Sequence, residues 1–370
     1  CPGGAFSPSA PDGARLMPLE RLRVDGLRVL TGVDCRLHPE RNYFFGPNGA
    51  GKTSLLEACF LVGRGRSFRT RQTRKLIQHG RSSLSVTVDH RCAEGVRRIG
   101  VKVGPEGLSY RIDRQKGASI TDVARILAVD VIDPSIHRLI EGGPSERRRF
   151  IDWGVFHVEH TYLELWKRYR RILGQRNAAL KARMSRAGLE PWTRALTEAG
   201  EAVSAMRAEY VARLGQAAAE IAGRLLGRRL EVVFRPGWQG SLADALRDDL
   251  ERDVALGYTQ AGPQRADLAV RLEGHQAADE ASRGQQKLIA ACLVIAHVRE
   301  AWAAAGRSGV LLVDDPAAEL DRGALERLLK EVEALPSQLL ITGLSPDLLP
   351  VDPRFPMFHV EQGRVRGGGL

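Results

Sequence analysis

The sequence predicts an α/β fold in which a mixed sheet is interrupted by a long helical insertion. A short apolar strand, a glycine-rich loop and an apolar helix follow one another in residues 43–62. Residues 84–112 alternate apolar and polar side chains, which is typical of an antiparallel β meander. Helical stripes then occupy residues 162–214, and short apolar strands return from residue 268.

Composition and charge narrow the class of protein. The 370 residues predict about two or three domains, 43% of them are hydrophobic, and no apolar run approaches the roughly 20 residues of a membrane span. Membrane, collagenous and wholly disordered classes are therefore excluded. The 55 Lys and Arg exceed the 44 Asp and Glu by 11, which favours a polyanionic partner over a small neutral ligand.

Cysteine usage favours a cytoplasmic protein. None of the five cysteines is spaced two residues from another, so the pattern indicates neither a disulfide framework nor a zinc site. Cys59 and Cys292 fall in apolar helical patterns, and we expect both to be reduced core thiols.

Residues 1–16 differ in composition from the rest of the chain. They are rich in Pro, Gly, Ser and Ala, begin with Cys1, precede Met17 and lack the basic and apolar blocks of a signal peptide. We expect either a disordered extension or a misassigned start, and favour Met17 as the true start.

Residues 17–132 form the first part of the predicted sheet-bearing domain. Strands are predicted at residues 19–24, 33–37 and 43–45 because turn residues separate these apolar runs. The run 54–62 predicts a buried helix closed by Gly63. The meander follows at residues 84–88, 96–103 and 108–112.

Residues 133–258 turn helical and strongly basic, which predicts a second lobe. One stripe runs from Tyr162 to Leu180, and a second runs from Trp192 to Leu214 after a break at Gly188 and Pro191. Two such helices should pack as a short antiparallel coiled-coil arm, although the same stripes suit any helical bundle. Residues 259–370 complete the sheet-bearing domain with strands at 268–272, 310–313, 339–342 and 357–360.

A phosphate-binding loop is the strongest signal. It fits the pattern G-x-x-x-x-G-K-T between a strand and a helix. Its backbone N–H groups should surround the phosphates of ATP, Lys52 should reach the β and γ phosphates, and Thr53 should supply an oxygen to Mg²⁺. The loop consists of Gly46, Pro47, Asn48, Gly49, Ala50, Gly51, Lys52 and Thr53.

Two further motifs complete a candidate hydrolytic site. The buried strand 310–313 ends in Asp314 and Asp315, and we expect Asp314 to hold Mg²⁺ and Asp315 to orient or deprotonate the attacking water. Ser282 precedes an apolar helix at residues 288–298, which makes a second anion site at a helix N-terminus. One ATP could occupy both anion sites only if they come from two facing subunits, which predicts a nucleotide-dependent homodimer.

With these motifs the chain resembles the ABC-type ATPase heads of the SMC and Rad50 class, and among them the RecF family of bacterial recombinational repair proteins. The resemblance covers residues 17–364. Besides the motifs above it rests on the arginine-rich and Gly-Pro segments 65–70, 143–152 and 262–268, and on residues 176–180 and 319–321.

The resemblance implies a weak DNA-dependent ATPase that uses ATP and Mg²⁺ and forms an ATP-dependent homodimer. Ser282, with Gly284 and Gln285, would contact the γ-phosphate held by the other subunit, and Asp321 would lie in a loop that crosses the dimer interface. The family further implies binding to single-stranded DNA, gapped DNA and junctions, and loading of RecA with RecR and RecO. It also implies roles in replication, recombinational repair and the SOS response.

Several positions depart from the wider ABC pattern. Arg283 and Gly284 stand where the transporter signature usually has two glycines, Asp315 replaces the usual Glu, and Thr342 and Gly343 stand where a histidine would follow the late strand. No clear Gln marks residues 133–135. Asp is one methylene shorter than Glu, and a misplacement of about 1 Å can cost about 100-fold in rate. We therefore expect slow hydrolysis, with ATP acting chiefly as a dimer switch.

Two basic stretches are candidates for contacts with the DNA backbone. Residues 64–98 contain ten Lys or Arg against two acidic residues, and residues 164–186 contain eight against Glu164. Few aromatic residues interleave, so readout of base sequence is not indicated. The sequence leaves open whether Arg66 and Arg69 approach ATP or DNA, and each stretch could instead be a solvated surface.

Other P-loop machines remain as alternatives. The same phosphate chemistry would suit the ATPase subunit of a transporter, an SMC-like structural clamp or a small-molecule kinase. The basic helices and the missing histidine argue against the transporter. Helices of about thirty residues are too short for a long clamp. In a small-molecule kinase the second anion site at Ser282 would have no role.

Overall fold

A computed structural model describes residues 16–306, 308–318 and 320–367. They fall into two compact units: the first joins residues up to Pro134 with those from Ala305 onward, and the second spans Ser135–Ala304. The predicted N-terminal extension lies outside the described residues except for Leu16, and Glu319 also lies outside them.

The described residues contain three sheets and a set of helices, labelled here in chain order. The strands are β1 (Leu19–Asp25), β2 (Val33–Arg36), β3 (Arg41–Phe45), β4 (Leu84–Cys92), β5 (Gly95–Gly104), β6 (Gly107–Ile112), β7 (Gln115–Ala118), β8 (Val129–Ile132), β9 (Leu230–Arg235), β10 (Asp267–Leu272), β11 (His275–Gln276), β12 (Val310–Val313), β13 (Gln338–Gly343), β14 (Met357–Glu361) and β15 (Arg364–Gly367). The helices are α1 (Lys52–Arg64), α2 (Ile120–Ile126), α3 (Arg138–Glu141), α4 (Pro144–Val158), α5 (Tyr162–Lys181), α6 (Arg186–Leu226), α7 (Leu242–Asp248), α8 (Leu250–Leu256), α9 (Ala277–Glu280), α10 (Arg283–Ala305) and α11 (Arg322–Glu333).

An antiparallel sheet forms one side of the first unit, with strand order β2-β1-β4-β5-β6-β7. The predicted meander is confirmed as β4, β5 and β6, which pair consecutively in antiparallel register. Its alternating apolar side chains, such as Val86, Val88 and Val101, are buried on one face, which follows from the two-residue period of a strand.

A mixed sheet forms the other side, with strand order β15-β14-β3-β13-β12-β8. β14, β3, β13, β12 and β8 run parallel, so their carboxyl ends meet at one edge. The predicted helix after the glycine-rich loop is α1, whose apolar residues pack in one core with strands of both sheets. This packing places the loop and the ends of β3, β12 and β13 at the same edge.

The second unit is built around α5 and α6, and one detail of the prediction was wrong here. The chain turns at residues 182–185 rather than at Gly188 and Pro191. Ser185 caps α6 by accepting a hydrogen bond from the Gly188 N–H (3.3 Å). Pro191 lies inside α6, in its second turn, where its ring has no N–H to donate to the helix. Predicted stripe residues such as Leu196, Val203 and Leu214 are buried, and α6 also packs against α4, α7 and β9.

The strand predicted at 268–272 belongs to a different sheet from the one expected. β10 pairs antiparallel with β9 along its whole length, and β11 completes a three-stranded sheet within the second unit. A strand's partner depends on tertiary contacts that sequence spacing does not encode. The second unit correspondingly continues to Ala304, beyond the predicted end of the helical lobe at residue 258, because this sheet packs on α4 and α6.

Cys59 and Cys292 are fully buried, as predicted, and the described cysteines are free thiols. Burial raises the pKa of both Cys35 and Cys59, which disfavours their reactive thiolate forms. Within the described ranges, no helix combines the length and the apolar character needed to cross a membrane.

Candidate nucleotide-binding site

The glycine-rich loop joins β3 to α1 and has a backbone shape that requires glycine. Gly46 has φ 155°, and a side chain at this position would collide with the carbonyl oxygen of Val360 on β14. The Ala50 N–H donates to the Pro47 carbonyl (3.2 Å), and the Gly363 N–H donates to the Ala50 carbonyl (2.9 Å). The loop is thus fixed from within and from the β14–β15 turn, which preorganises it for phosphate.

Lys52 lies in the first turn of α1 and folds back over the loop. Its Nζ donates to the carbonyl oxygens of Gly46 (2.6 Å) and Pro47 (2.9 Å), and the residue is only 7% exposed. Burial lowers the pKa of Lys52, while the carboxylates of Asp315 and Asp314 act in the opposite direction. A γ-phosphate would supply the charge-matched partner that neutral carbonyls do not.

Thr53 and Asp314 meet at the edge of the mixed sheet. The Thr53 hydroxyl donates to Asp314 Oδ1 (2.9 Å), and the Thr342 hydroxyl donates to the same oxygen (2.8 Å). Asp314 is 6% exposed. Burial raises its pKa, and the two hydroxyl hydrogen bonds oppose that effect.

These oxygens fit Mg²⁺, which prefers hard oxygen ligands and commonly uses one or two carboxylates together with substrate phosphates. Among the described residues no cluster of three or more His, Cys, Asp or Glu could form an all-protein metal site. A buried carboxylate beside a hydroxyl, next to a phosphate-binding loop, instead matches a magnesium site that combines protein oxygens with phosphate oxygens of the substrate.

Asp315 follows Asp314 in a strained conformation. Its φ of 43° lies in the left-handed region, which is unfavourable for a residue with a side chain, and its N–H donates to the Thr342 hydroxyl oxygen (2.9 Å). Burial raises the pKa of Asp315, and the nearby Lys52 ammonium lowers it. The structure therefore brings Lys52, Thr53, Asp314 and Asp315 together.

The residues predicted to act across a dimer occupy helix N-termini. In the second unit Ser282 caps α10: its Oγ accepts from the Gln285 N–H (3.3 Å), and Gln285 Oε1 accepts from the Ser282 N–H (2.9 Å). A Cβ on Gly284 would meet no described atom within 4 Å apart from its chain neighbours and the backbone of its own helix. In the first unit Asp321 caps α11 by accepting from the Ala324 N–H (2.9 Å). Within one chain these residues have structural partners.

Sequence reasoning missed a buried network that joins α1 to the segment 65–70. Glu57 is fully buried, and Arg28 donates to it through Nε (2.5 Å) and Nη2 (3.0 Å). The Ser67 hydroxyl also donates to Glu57, while its oxygen accepts from the Arg69 and Thr70 N–H groups. The available signal was a lone carboxylate within the apolar run of α1. The network anchors the arginine-bearing segment directly to the nucleotide-loop helix.

The first basic stretch has two parts, residues 81–98 beside and on the antiparallel sheet and the segment 66–75. On the antiparallel sheet and just before β4, four arginines form ion pairs with neighbouring carboxylates, namely Arg81 with Asp25, Arg91 with Glu20, Arg97 with Asp113 and Arg98 with Asp89. The basic segment 66–75 also has exposed charged side chains, which are Arg66, Arg69, Arg71, Arg74 and Lys75. Five exposed basic residues within ten positions make it the most densely charged part of the stretch.

The second basic stretch lies mainly on α5. Arg176 is an exception, because it is fully buried and donates to Asp253 (2.7 Å) and to the Thr259 hydroxyl (2.7 Å). Arg207 is likewise buried and pairs with Asp152. Such arginines organise the interior of the lobe. The exposed basic residues of the stretch are Lys167, Arg168, Arg170, Arg171, Lys181, Arg183 and Arg186.

Comparison with known proteins places the chain in a family. The family model described as "RecF/RecN/SMC N terminal domain" matches residues 18–364. The chain is similar to the DNA replication and repair protein RecF of Chromohalobacter salexigens, with 38% identity over 361 residues that cover 94% of this chain and 99% of the relative. It is 39% identical over 365 residues to the protein of the same name from Thioalkalivibrio sulfidiphilus, covering 95% of this chain and all of the relative (100%).

Among solved structures, the recombination mediator protein RecF with ATPrS, described in the RecFOR pathway, matches with a TM-score of 0.82. The match covers 95% of this chain and 98% of that chain, at 25% sequence identity. Fold, motif geometry and near full-length relatives therefore agree, and the chain belongs to the RecF family, within the RecF/RecN/SMC N-terminal domain class of ABC-type ATPase heads.

Proposed function

We propose that this chain is an ATP-controlled DNA-binding protein of replication and recombinational repair. In this proposal two subunits close around ATP, the closed dimer holds DNA through basic surfaces, and slow hydrolysis releases it. The observation that carries the proposal is the contact between Thr53 and Asp314 (2.9 Å) beside the glycine-rich loop, which unites the phosphate and magnesium halves of an ATPase site.

The first unit supplies the binding steps. The loop N–H groups and Lys52 bind the phosphates, and the ammonium exchanges its carbonyl partners for phosphate oxygens. Thr53 and Asp314 provide the oxygens that would hold Mg²⁺, which, when bound, would neutralise charge developing on the phosphates. The carboxylate of Asp315 interacts electrostatically with the Lys52 ammonium. This carboxylate is the group that can accept a proton from the attacking water.

The side chain of Asp315 supports slow hydrolysis. Its carboxylate is one methylene closer to the backbone than a glutamate would be. A general base displaced by about 1 Å lowers the rate of hydrolysis by about 100-fold. ATP binding would therefore act chiefly as a switch for dimer formation.

The dimer itself follows from the second anion site. Ser282 and the first N–H groups of α10 form an exposed helix N-terminus in the second unit, with open space around Gly284 among the described residues. The loop of one subunit and α10 of the other would together enclose one ATP, and Asp321 would lie in the segment that crosses the interface. Each dimer would bind two ATP and two Mg²⁺.

DNA binding would use the basic segment 66–75 and the exposed face of α5. Both are rich in arginine and poor in aromatic residues, which suits the phosphate backbone rather than base readout. Removing Lys75, or Arg69, should weaken binding and reduce its salt dependence. Removing Arg97 should change little, because Asp113 already neutralises it (2.6 Å).

Family membership supports a wider role. The relatives are named DNA replication and repair proteins, and the similar solved structure is described as a recombination mediator in the RecFOR pathway. We infer that this chain binds single-stranded DNA, gapped DNA and junctions in the cytoplasm. It would work with RecR and RecO to promote RecA loading, and so support the SOS response.

Light scattering of the full chain with Mg²⁺ and ATP tests this function, with and without a gapped duplex. The wild type should dimerise only with ATP, and Lys52→Ala and Ser282→Arg should both remain monomeric. DNA binding should be sensitive to salt and should weaken in both variants. A monomer at every ATP concentration, or DNA binding that ignores both substitutions, would contradict the proposal.

A further inference from the structure

Thr342 occupies a central place at the nucleotide-binding edge. It lies near the end of β13, the strand between β3 and β12 in the mixed sheet. In the parallel register Thr342 stands beside Phe44 of β3, and the preceding Ile341 stands beside Val313 of β12. Thr342 is therefore next to the glycine-rich loop on one side and Asp314 on the other, and its side chain is fully buried.

The hydrogen bonds of Thr342 have only one consistent polarity. A backbone N–H can only donate, so the Thr342 oxygen must accept from Asp315 (2.9 Å). The hydroxyl has one proton, and that proton goes to Asp314 Oδ1 (2.8 Å). One hydroxyl thus contacts the metal-site carboxylate through its proton and the backbone of the next residue through its oxygen.

Both contacts have consequences for the site. Asp314 Oδ1 also accepts from Thr53 (2.9 Å), and a metal bound there would draw the Thr53 oxygen toward itself, leaving Thr342 as the hydroxyl that still orients Asp314. Asp315 has φ 43°, a conformation that an ordinary residue keeps only when its surroundings hold it. In the described structure the Asp315 N–H donates to the Thr342 hydroxyl oxygen.

We propose that Thr342 is a positioning residue for hydrolysis, which orients Asp314 toward the metal and holds the strained backbone of Asp315 so that its carboxylate can reach the attacking water. The inference rests on the proposed function and adds to it a residue outside the nucleotide loop, the Asp314–Asp315 pair and the Ser282 segment. Thr342 acts through its two neighbours and need not touch the phosphate.

The test compares Thr342→Val, which keeps the shape but removes the hydroxyl, with Thr342→Ser, which keeps the hydroxyl. Thr342→Ala is a second hydroxyl-free variant, and Thr87→Val on β4 is a matched control for the same substitution elsewhere in a sheet. Light scattering measures the Mg²⁺ concentration needed for ATP-dependent dimers and the lifetime of those dimers after ATP is diluted. Steady-state assays give kcat and KM, and thermal melting checks the fold.

Both hydroxyl-free variants should still dimerise with ATP but should need more Mg²⁺. Their kcat should fall by about 100-fold with a much smaller change in KM, and their dimers should persist longer. Thr342→Ser and Thr87→Val should resemble the wild type. Wild-type kcat, dimer lifetime and Mg²⁺ requirement in Thr342→Val, or a serine variant as defective as the valine variant, would overturn the inference alone. A wild type that never dimerises with ATP would overturn the proposed function as well.

Discussion

The buried ion pair between Arg28 and Glu57 allows a stability prediction with a definite magnitude. Glu57 has no exposed side-chain area, whereas Arg28 is 26% exposed. Arg28→Ala would leave a buried carboxylate with Ser67 as its remaining donor among the described contacts. Removing one partner of a buried pair typically costs about 3–5 kcal/mol, and the partial exposure of Arg28 places this case near the lower end, at about 3 kcal/mol. This free energy corresponds to roughly 100-fold in the unfolding equilibrium.

Urea unfolding of the wild type, Arg28→Ala, Glu57→Gln and the double variant measures the coupling between the two residues. The double variant should be more stable than Arg28→Ala, because a neutral amide removes the uncompensated charge. Arg21→Ala is a matched control in an exposed pair, since Arg21 and Asp34 are 38% and 42% exposed, and it should cost under about 1 kcal/mol. If Arg28→Ala cost no more than Arg21→Ala, the network would not anchor segment 65–70 as described.

Two further predictions concern the backbone and pH. Gly46→Ala should abolish ATP binding in a calorimetric titration because a Cβ would meet Val360, whereas Gly284→Ala should leave thermal stability of the monomer unchanged, since space is open there. Burial alone would raise the pKa of Asp89, but hydrogen bonds from Arg98 and Arg23 bring it below its usual range. A lowered folded-state pKa stabilises above the unfolded pKa of about 3.9 and loses that effect as pH falls further. The stability advantage of wild type over Asp89→Asn in urea unfolding should therefore shrink below about pH 4.

Local features of the sequence predicted much of this fold. The strands of the antiparallel sheet follow from two-residue alternation, and the nucleotide loop follows from glycine spacing between a strand and a helix. The turn before α6 was misplaced because proline usually signals a helix boundary, whereas the Ser185 cap starts this helix earlier. The sheet of β10 was misassigned because strand pairing is non-local.

The candidate site was predicted as a set of motifs, but the connections between them were not. Lys52 and Thr53 follow β3 after the glycine-rich loop, and Asp314 and Asp315 follow β12. They come together because these parallel strands end at one edge of the sheet. Thr342 was noted in the sequence only as a departure from a pattern. Its hydrogen bonds to both carboxylate residues depend on strand register, which spacing alone does not give. Buried Glu57 depends likewise on partners distant in the chain.

Mixing two defective variants tests the shared ATP site most directly. Lys52→Ala disables the loop of its own subunit, and Ser282→Arg disables its own α10 N-terminus. A heterodimer of the two would contain one site in which the intact loop faces the intact α10. ATP-dependent dimers and hydrolysis should therefore be absent from each variant alone and reappear in the mixture. Recovery of neither property in the mixture, or dimers formed by either variant alone, would contradict a nucleotide site shared between subunits.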